Sequence, residues 1–163
     1  MVPSVPEGYT TVTPWIVVRG ASAFIVFAKQ VFGAEEIARL TGPDGLIGHA
    51  ELRLGTAVVM LFDSREGWPE VHQFLRLYVD DASAVIDRAV AAGGRVVTDI
   101  TDLGFGDRVG RVADPWGNLW WVQERIEAID PEEMGRRMAM PVYAEAMTYV
   151  QHSLDDEMKS RAR

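Results

Sequence analysis

The sequence contains two copies of one pattern, and this repeat limits the folds that the chain can adopt. The segment Val17–Ala23 (VVRGASA) matches Tyr78–Ala84 (YVDDASA), which lies 61 residues further along the chain. Gly33 maps onto Gly94 at the same offset. Each copy is typical of a strand, a helix and three further strands. Because a repeat of this length sets the whole architecture, the sequence predicts an α+β fold of two βαβββ modules that form a curved mixed sheet around a cavity.

The second copy ends in the clearest strand–turn–strand pattern of the chain, Gly106–Glu124 (GDRVGRVADPWGNLWWVQE). Its centre, Asp114–Asn118, has the composition of a tight turn, since Pro115 presets φ and Gly117 can adopt a positive φ. A fainter copy, His49–Phe62, has Gly55 in the place of Gly117. We therefore expect a β-hairpin at the end of each module.

Clusters of Pro, Gly and charged residues, which interrupt helices and strands, divide the chain into five parts. The expected parts are an N-terminal arm (1–10), module 1 (11–62), a linker (63–71), module 2 (72–127) and a C-terminal helical extension (128–163).

The extension begins with a strong helix-start signal, in which Asp130 is the N-cap and Pro131 the first helical residue. Pro141 should break this helix. The segment after it carries an apolar stripe at helical spacing, formed by Tyr143, Met147, Val150, Leu154 and Met158. Such a stripe must be buried, either against its own domain or against a partner subunit.

Composition excludes several classes of function. The net charge is −8, which disfavours nucleic acid as a partner because phosphate binding needs a basic surface. Cys is absent, so disulfides and thiolate sites are excluded. No apolar run reaches the ~18 residues of a membrane span, and the N-terminus lacks a signal-peptide pattern. We expect a cytoplasmic protein that binds neither nucleic acid nor membrane.

Strand alternation predicts which side chains line the cavity. In strand 5, Phe74, Arg76 and Tyr78 share one face, and the other face is aliphatic and should pack on helices. The same reasoning gives a set of ligand-binding candidates, to which Phe105 is added from a loop between two glycines: Trp15, Arg53, Phe74, Arg76, Tyr78, Phe105, Arg111 and Trp121. It also places Val59 and Leu61 of strand 4 on the cavity side. Aromatic rings with arginines fit a planar, anionic or apolar ligand.

His49 and Glu51 are the candidate catalytic pair, because alternation places both on one face of strand 3. They could act as a general base with an acidic partner, or as two ligands of a displaced metal site. The alternative is structural, with Glu51 paired to Arg53, Arg76 or Arg111.

The phrases FGAEE, GPDG, HAELRLG and VVML in the first module, and GDRVGRVADPWGNLWWV in the second, resemble the glyoxalase/bleomycin-resistance/dioxygenase (vicinal oxygen chelate) superfamily. The similarity covers about residues 10–130 and is strongest to the bacterial branch named after the phosphonate operon or as demethylubiquinone-methyltransferase-like. A fold of this kind hosts several chemistries, so the resemblance alone does not give a reaction. It does imply a homodimer, since members commonly dimerise.

Metal-dependent members of this superfamily place His, Glu or Gln ligands on four strands. The matching positions here are Thr13, Val59, Phe74 and Trp121, which are poor ligands for a divalent ion. We therefore expect no metal and no cofactor, and a metal-independent protein that binds an unknown small molecule, such as a sequestering or resistance protein. The alternatives are a lyase, isomerase or dioxygenase-type enzyme that uses His49 and Glu51, and a structural module whose own side chains fill the cavity.

Overall fold

The fold was obtained as a computed structural model, which describes residues 2–162. The chain divides between Gln73 and Phe74 into two compact units. The elements of unit 1 are β1 (Trp15–Val18), α1 (Ala21–Phe32), β2 (Glu35–Thr41), β3 (Ile47–Leu54) and β4 (Ala57–Asp63). Those of unit 2 are β5 (Phe74–Tyr78), α2 (Ala82–Ala91), β6 (Arg95–Leu103), β7 (Asp107–Ala113), β8 (Leu119–Arg125), α3 (Pro131–Met138) and α4 (Pro141–Arg161).

Each unit contains its own four-stranded mixed sheet. The strand orders are β1-β4-β3-β2 and β5-β8-β7-β6. In both sheets the first strand runs parallel to the fourth, and the remaining pairs are antiparallel. The predicted α+β class with two βαβββ modules is therefore confirmed, with one sheet in each module.

The strands differ from the sequence expectation mainly at their beginnings. Module 1 is expected from residue 11, but its first strand, β1, begins only at Trp15. The hydroxyl of Thr10 donates to the carbonyl of Val12 at 2.5 Å, and that of Thr13 donates to the carbonyl of Thr10 at 3.2 Å. Such local side-chain bonds stabilise a turn in place of an extended strand.

The repeat is visible in the contacts that hold the first helix of each unit. Asp63 at the end of β4 accepts hydrogen bonds from the amides of Gly20 and Ala21, both at 2.8 Å. In unit 2, Glu124 accepts one from the amide of Ala82 at 3.0 Å. A carboxylate at a helix N-terminus satisfies otherwise unpaired amides and interacts favourably with the helix dipole.

The hairpin of unit 2 is held by the buried carboxylate of Asp114. One oxygen accepts from the amides of Trp116 and Asn118, and the other from the side chains of Asn118 and Trp120, all four at 2.9 Å. Burial raises the pKa of Asp114, although these hydrogen bonds act in the opposite direction. Gly117 supplies the positive φ of 83° that the turn requires.

The face predicted for strand 4 is wrong. Met60 pairs with Glu51, whereas Leu61 pairs with the buried Ala50. Val59 and Leu61 therefore lie on the same face of the sheet as Ala50, and Met60 lies on the same face as Glu51. The reason is the short turn after β3, which pairs Leu54 with Ala57. Each odd-numbered residue of β3 therefore lies beside an even-numbered residue of β4. In unit 2, Asp107 pairs with Arg125, so odd-numbered residues of β7 lie beside odd-numbered residues of β8.

The C-terminal extension packs against its own unit. Asp130 caps α3 by accepting from the amide of Glu133 at 2.8 Å, and Pro141 opens α4. Val150 of α4 is buried in a cluster with Leu103 and Val109. Most of the predicted stripe is thus covered within unit 2, although Met158 stays exposed.

We predict that Asp114→Ala destabilises the protein by about 3 kcal/mol, because four N–H groups lose a buried acceptor. Urea denaturation followed by circular dichroism measures this change. Asp87→Ala, on the exposed side of α2, is the control and should shift stability by less than ~0.5 kcal/mol. Equal effects of the two substitutions would contradict the role of Asp114.

A second prediction concerns α4. Val150→Ala removes two methyl groups from a buried cluster and should cost about 2 kcal/mol of unfolding free energy. Val142→Ala lies on the same helix at an exposed position and is the matched control. Thermal unfolding of both variants tests whether α4 is bound to the unit through Val150, and indistinguishable midpoints would show that it is not.

Candidate functional site

Two arginines and a tryptophan form a row across three strands of unit 2. Trp121 of β8 pairs with Arg111 of β7 on one side and with Arg76 of β5 on the other. The guanidinium carbon lies 3.9 Å from the indole centroid for Arg111 and 4.4 Å for Arg76. These are cation–π distances. We call Arg76, Trp121 and Arg111 the Arg–Trp–Arg row.

Arg111 is a buried cation, only 2% exposed. Its Nη1 donates to the hydroxyl of Thr98 at 2.9 Å and to the carbonyl of Val150 at 2.7 Å. Burial, assisted by the positive charge of Arg76, lowers the pKa of Arg111 to about 10, so the group stays protonated at neutral pH. Within residues 2–162, neither arginine of the row forms an ion pair with a carboxylate.

The row and the neighbouring Gln123 of β8 contain polar atoms that have no hydrogen-bond partner. Arg111 Nε, Trp121 Nε1 and Gln123 Oε1 are buried and unpaired. The other end of the Gln123 amide donates to Asp107. Because an unpaired buried polar group costs free energy, a ligand acceptor that reached the two N–H donors, Arg111 Nε and Trp121 Nε1, would be stabilised.

One end of the row is covered and the other is open. At the covered end, Phe105 and Trp121 pack against the cluster that contains Val150 of α4. At the open end, Phe74 is 53% exposed and Tyr78 is 62% exposed. The ring of Phe74 stacks on that of Trp121 with centroids 6.4 Å apart. All five aromatic or cationic candidates on β5, β7 and β8 therefore share one face, as alternation predicts: Phe74, Arg76, Tyr78, Arg111 and Trp121.

In unit 1, the two candidate catalytic residues are hydrogen-bonded to each other. His49 Nε2 lies 2.9 Å from one oxygen of Glu51, and the hydroxyl of Tyr9 donates to the other. The Tyr9 bond, followed by the His49 bond, lowers the pKa of Glu51, and the same Tyr9–Glu51 bond raises the pKa of Tyr9. Glu51 is therefore ionised at neutral pH, and a carboxylate of lowered pKa is a weak general base.

The remaining candidates of unit 1 surround this pair. The ring of Trp15 meets His49 edge to face at 5.6 Å. Arg53, one of the three arginines that the structural alternative offers as a partner of Glu51, forms no ion pair with it. The guanidinium of Arg53 lies over Gly8 instead, so close that a β-carbon there would come within 3.3 Å of Nη1.

A cavity of about 410 Å³ separates the N-terminal arm from the sheet of unit 1. Its lining combines hydroxyl groups, one carboxylate and a few apolar groups: Ser4, Val5, Pro6, Tyr9, Thr10, Thr11, Thr13, Glu51 and Met60.

The positions that the family resemblance implies for metal ligands carry residues that do not suit a divalent ion. Met60, and not Val59, lies on the side of Glu51, and it joins Thr13, Phe74 and Trp121 as a weak or absent donor. Thr13 already donates to the carbonyl of Thr10. In the described part of the chain, no three His, Asp or Glu side chains converge as a metal site would require.

Sequence reasoning missed Tyr9, Thr98 and Met60. Tyr9 lies in an arm without periodicity, and only the fold brings it to Glu51. Thr98 was not selected because its role depends on Arg111, which it contacts across the sheet. The pairing of Met60 follows from turn length, which the sequence leaves undetermined.

No helix formed by residues 2–162 combines the length and the apolar character that crossing a membrane requires.

Comparison with known proteins places the chain in one family. The family model described as Glyoxalase/Bleomycin resistance protein/Dioxygenase superfamily matches residues 9–122. An uncharacterized protein of Mycobacterium bovis is 35% identical over 141 residues, which cover 78% of this chain and 91% of that protein.

Solved structures share the fold at low sequence identity. TioX from Micromonospora sp. ML1 is 23% identical, with a TM-score of 0.59 over 74% of this chain and 100% of that one. A PhnB protein from Bacillus cereus is 17% identical, with a TM-score of 0.56 over 71% and 99%. The family match over most of the chain, together with two βαβββ modules, shows that this protein belongs to the glyoxalase/bleomycin resistance protein/dioxygenase superfamily.

Proposed function

We propose that the protein binds a small planar anion on the Arg–Trp–Arg row, without a metal at the usual position of the family. The observation that carries this proposal is Arg111, a buried guanidinium with an unpaired Nε and no carboxylate partner among residues 2–162. Removing a cation from water without a counter-charge is unfavourable, so an anionic ligand would offset part of that cost.

The open end of the row indicates the shape of the ligand. The exposed rings of Phe74 and Tyr78 offer apolar surface beside the guanidinium of Arg76. A flat ring could stack on these side chains while its anionic group accepts from Arg76. Arg111 lies deeper on the same row and adds positive potential at short range.

Binding or sequestration is better supported than turnover. The row contains cations and rings, which hold a ligand, and it lacks a titratable group near neutral pH that would transfer a proton. Glu51 and His49, the residues of the alternative enzymatic hypothesis, include a carboxylate whose pKa is lowered. A family whose description includes bleomycin resistance proteins is consistent with a binding role.

The proposal predicts charge-dependent binding of 2-naphthoate to the full-length protein. Isothermal titration calorimetry should show that 2-naphthoate binds at least about tenfold more tightly than the neutral 2-naphthamide. Arg76→Gln should abolish most of this difference. Arg136→Gln, an exposed arginine on α3, is the control and should leave it unchanged. Equal affinity for the two compounds, or no binding of either, would refute the anion site.

A further prediction concerns metal. Elemental analysis after mild purification, followed by titration with zinc, nickel and manganese, should reveal no tightly bound divalent ion, because the four family positions supply no good donor. Stoichiometric metal that resists dialysis and is lost in His49→Ala would instead favour the enzymatic hypothesis. His72→Ala, which removes an exposed histidine of the same unit, serves as the matched control.

A further inference from the structure

We propose that the cavity beneath the N-terminal arm is a second binding site, for a small organic cation such as a quaternary or primary ammonium compound. Its ammonium group would lie against the carboxylate of Glu51. This site belongs to unit 1, whereas the Arg–Trp–Arg row belongs to unit 2. It takes the opposite charge and does not depend on the function proposed for that row.

The first argument is that Glu51 has no permanently charged partner. Its side chain is 15% exposed, and its two hydrogen-bond partners are the Tyr9 hydroxyl and the His49 ring. Within residues 2–162, no Lys or Arg forms an ion pair with it. Hydrogen bonds from Tyr9 and His49 favour the ionised form. A poorly solvated carboxylate without a permanent counter-ion attracts a cation.

The second argument is the chemistry of the cavity walls. The hydroxyls of Thr10 and Thr13 already donate to backbone carbonyls, so their free capacity is as acceptors. Acceptors beside a carboxylate suit a ligand that is a cation or carries N–H and O–H groups, and they disfavour an anion. Met60 and Val5 add apolar contact for the methyl or methylene groups of such a ligand.

The third argument is the aromatic surroundings. Tyr9 lines the cavity and presents its ring next to Glu51. Trp15 is not part of the cavity lining, but it lies beside the lining residue Met60 in the sheet, and its ring meets that of His49, the partner of Glu51, at 5.6 Å. Carboxylates combined with aromatic rings are typical of sites that recognise quaternary ammonium groups. The volume of about 410 Å³ lies within the usual range for small-molecule sites.

Choline and its neutral isostere 3,3-dimethylbutan-1-ol test the proposal on the unmodified full-length protein. The two compounds have the same shape and differ in charge, so calorimetry or ligand-observed NMR should show that choline binds at least about tenfold more tightly. This comparison needs no substitution and is therefore independent of any folding defect.

Three variants locate the site. Glu51→Gln keeps the shape of the side chain, removes its charge and should weaken choline binding about tenfold or more. Glu35→Gln removes an exposed carboxylate of the same unit and should have no effect. Arg76→Gln should also leave choline binding unchanged, which separates this site from the Arg–Trp–Arg row.

Tyr9→Phe distinguishes the ring from the hydroxyl. The phenyl ring is retained, and Glu51 loses a neutral donor, so choline binding should be kept within about threefold. Equal binding of choline and the neutral alcohol, an unchanged affinity in a folded Glu51→Gln protein, or no detectable choline binding at about 10 mM would each overturn the proposal.

Discussion

A four-stranded sheet has two faces, and both must be covered if its side chains are to leave water. In each unit a helix packs on one face. The other face receives a terminal segment of the same unit: the arm in unit 1, through the hydrogen bond from Tyr9 to Glu51, and α4 in unit 2, through the bond from Arg111 to the carbonyl of Val150. Glu51 and Arg111 therefore each lie beneath a segment that is not part of the repeat, and their burial and their pKa values depend on that segment.

The two covered faces carry opposite charge. On one, Glu51 is an ionised carboxylate whose partners are a hydroxyl and an imidazole. On the other, Arg76 and Arg111 share the indole of Trp121 and have no carboxylate partner among residues 2–162. Charges that are left unbalanced inside a fold reduce its stability, so they are strong indications of ligand binding. Both proposals follow from these charges: a cationic ligand is proposed for the first face and an anionic ligand for the second.

Carboxylates also explain how the same module is built twice from different residues. Asp63 and Glu124 differ in length, yet each accepts from the amide that begins the first helix of its unit. Asp114 has a comparable role in the turn of unit 2, where it accepts four hydrogen bonds. Because unpaired amides are costly when buried, these contacts can persist while side-chain identity changes.

The sequence by itself determined the repeat, the element order, and the shared face of the β5 candidates and Trp121, because these depend on local periodicity and turn chemistry. The tertiary structure decided the rest. The turn length after β3 placed Met60 beside Glu51, an arm without periodicity brought Tyr9 to the same carboxylate, and α4 buried Arg111. Each of these depends on contacts between residues far apart in the chain, and such contacts leave no periodic signal in the sequence that forms them.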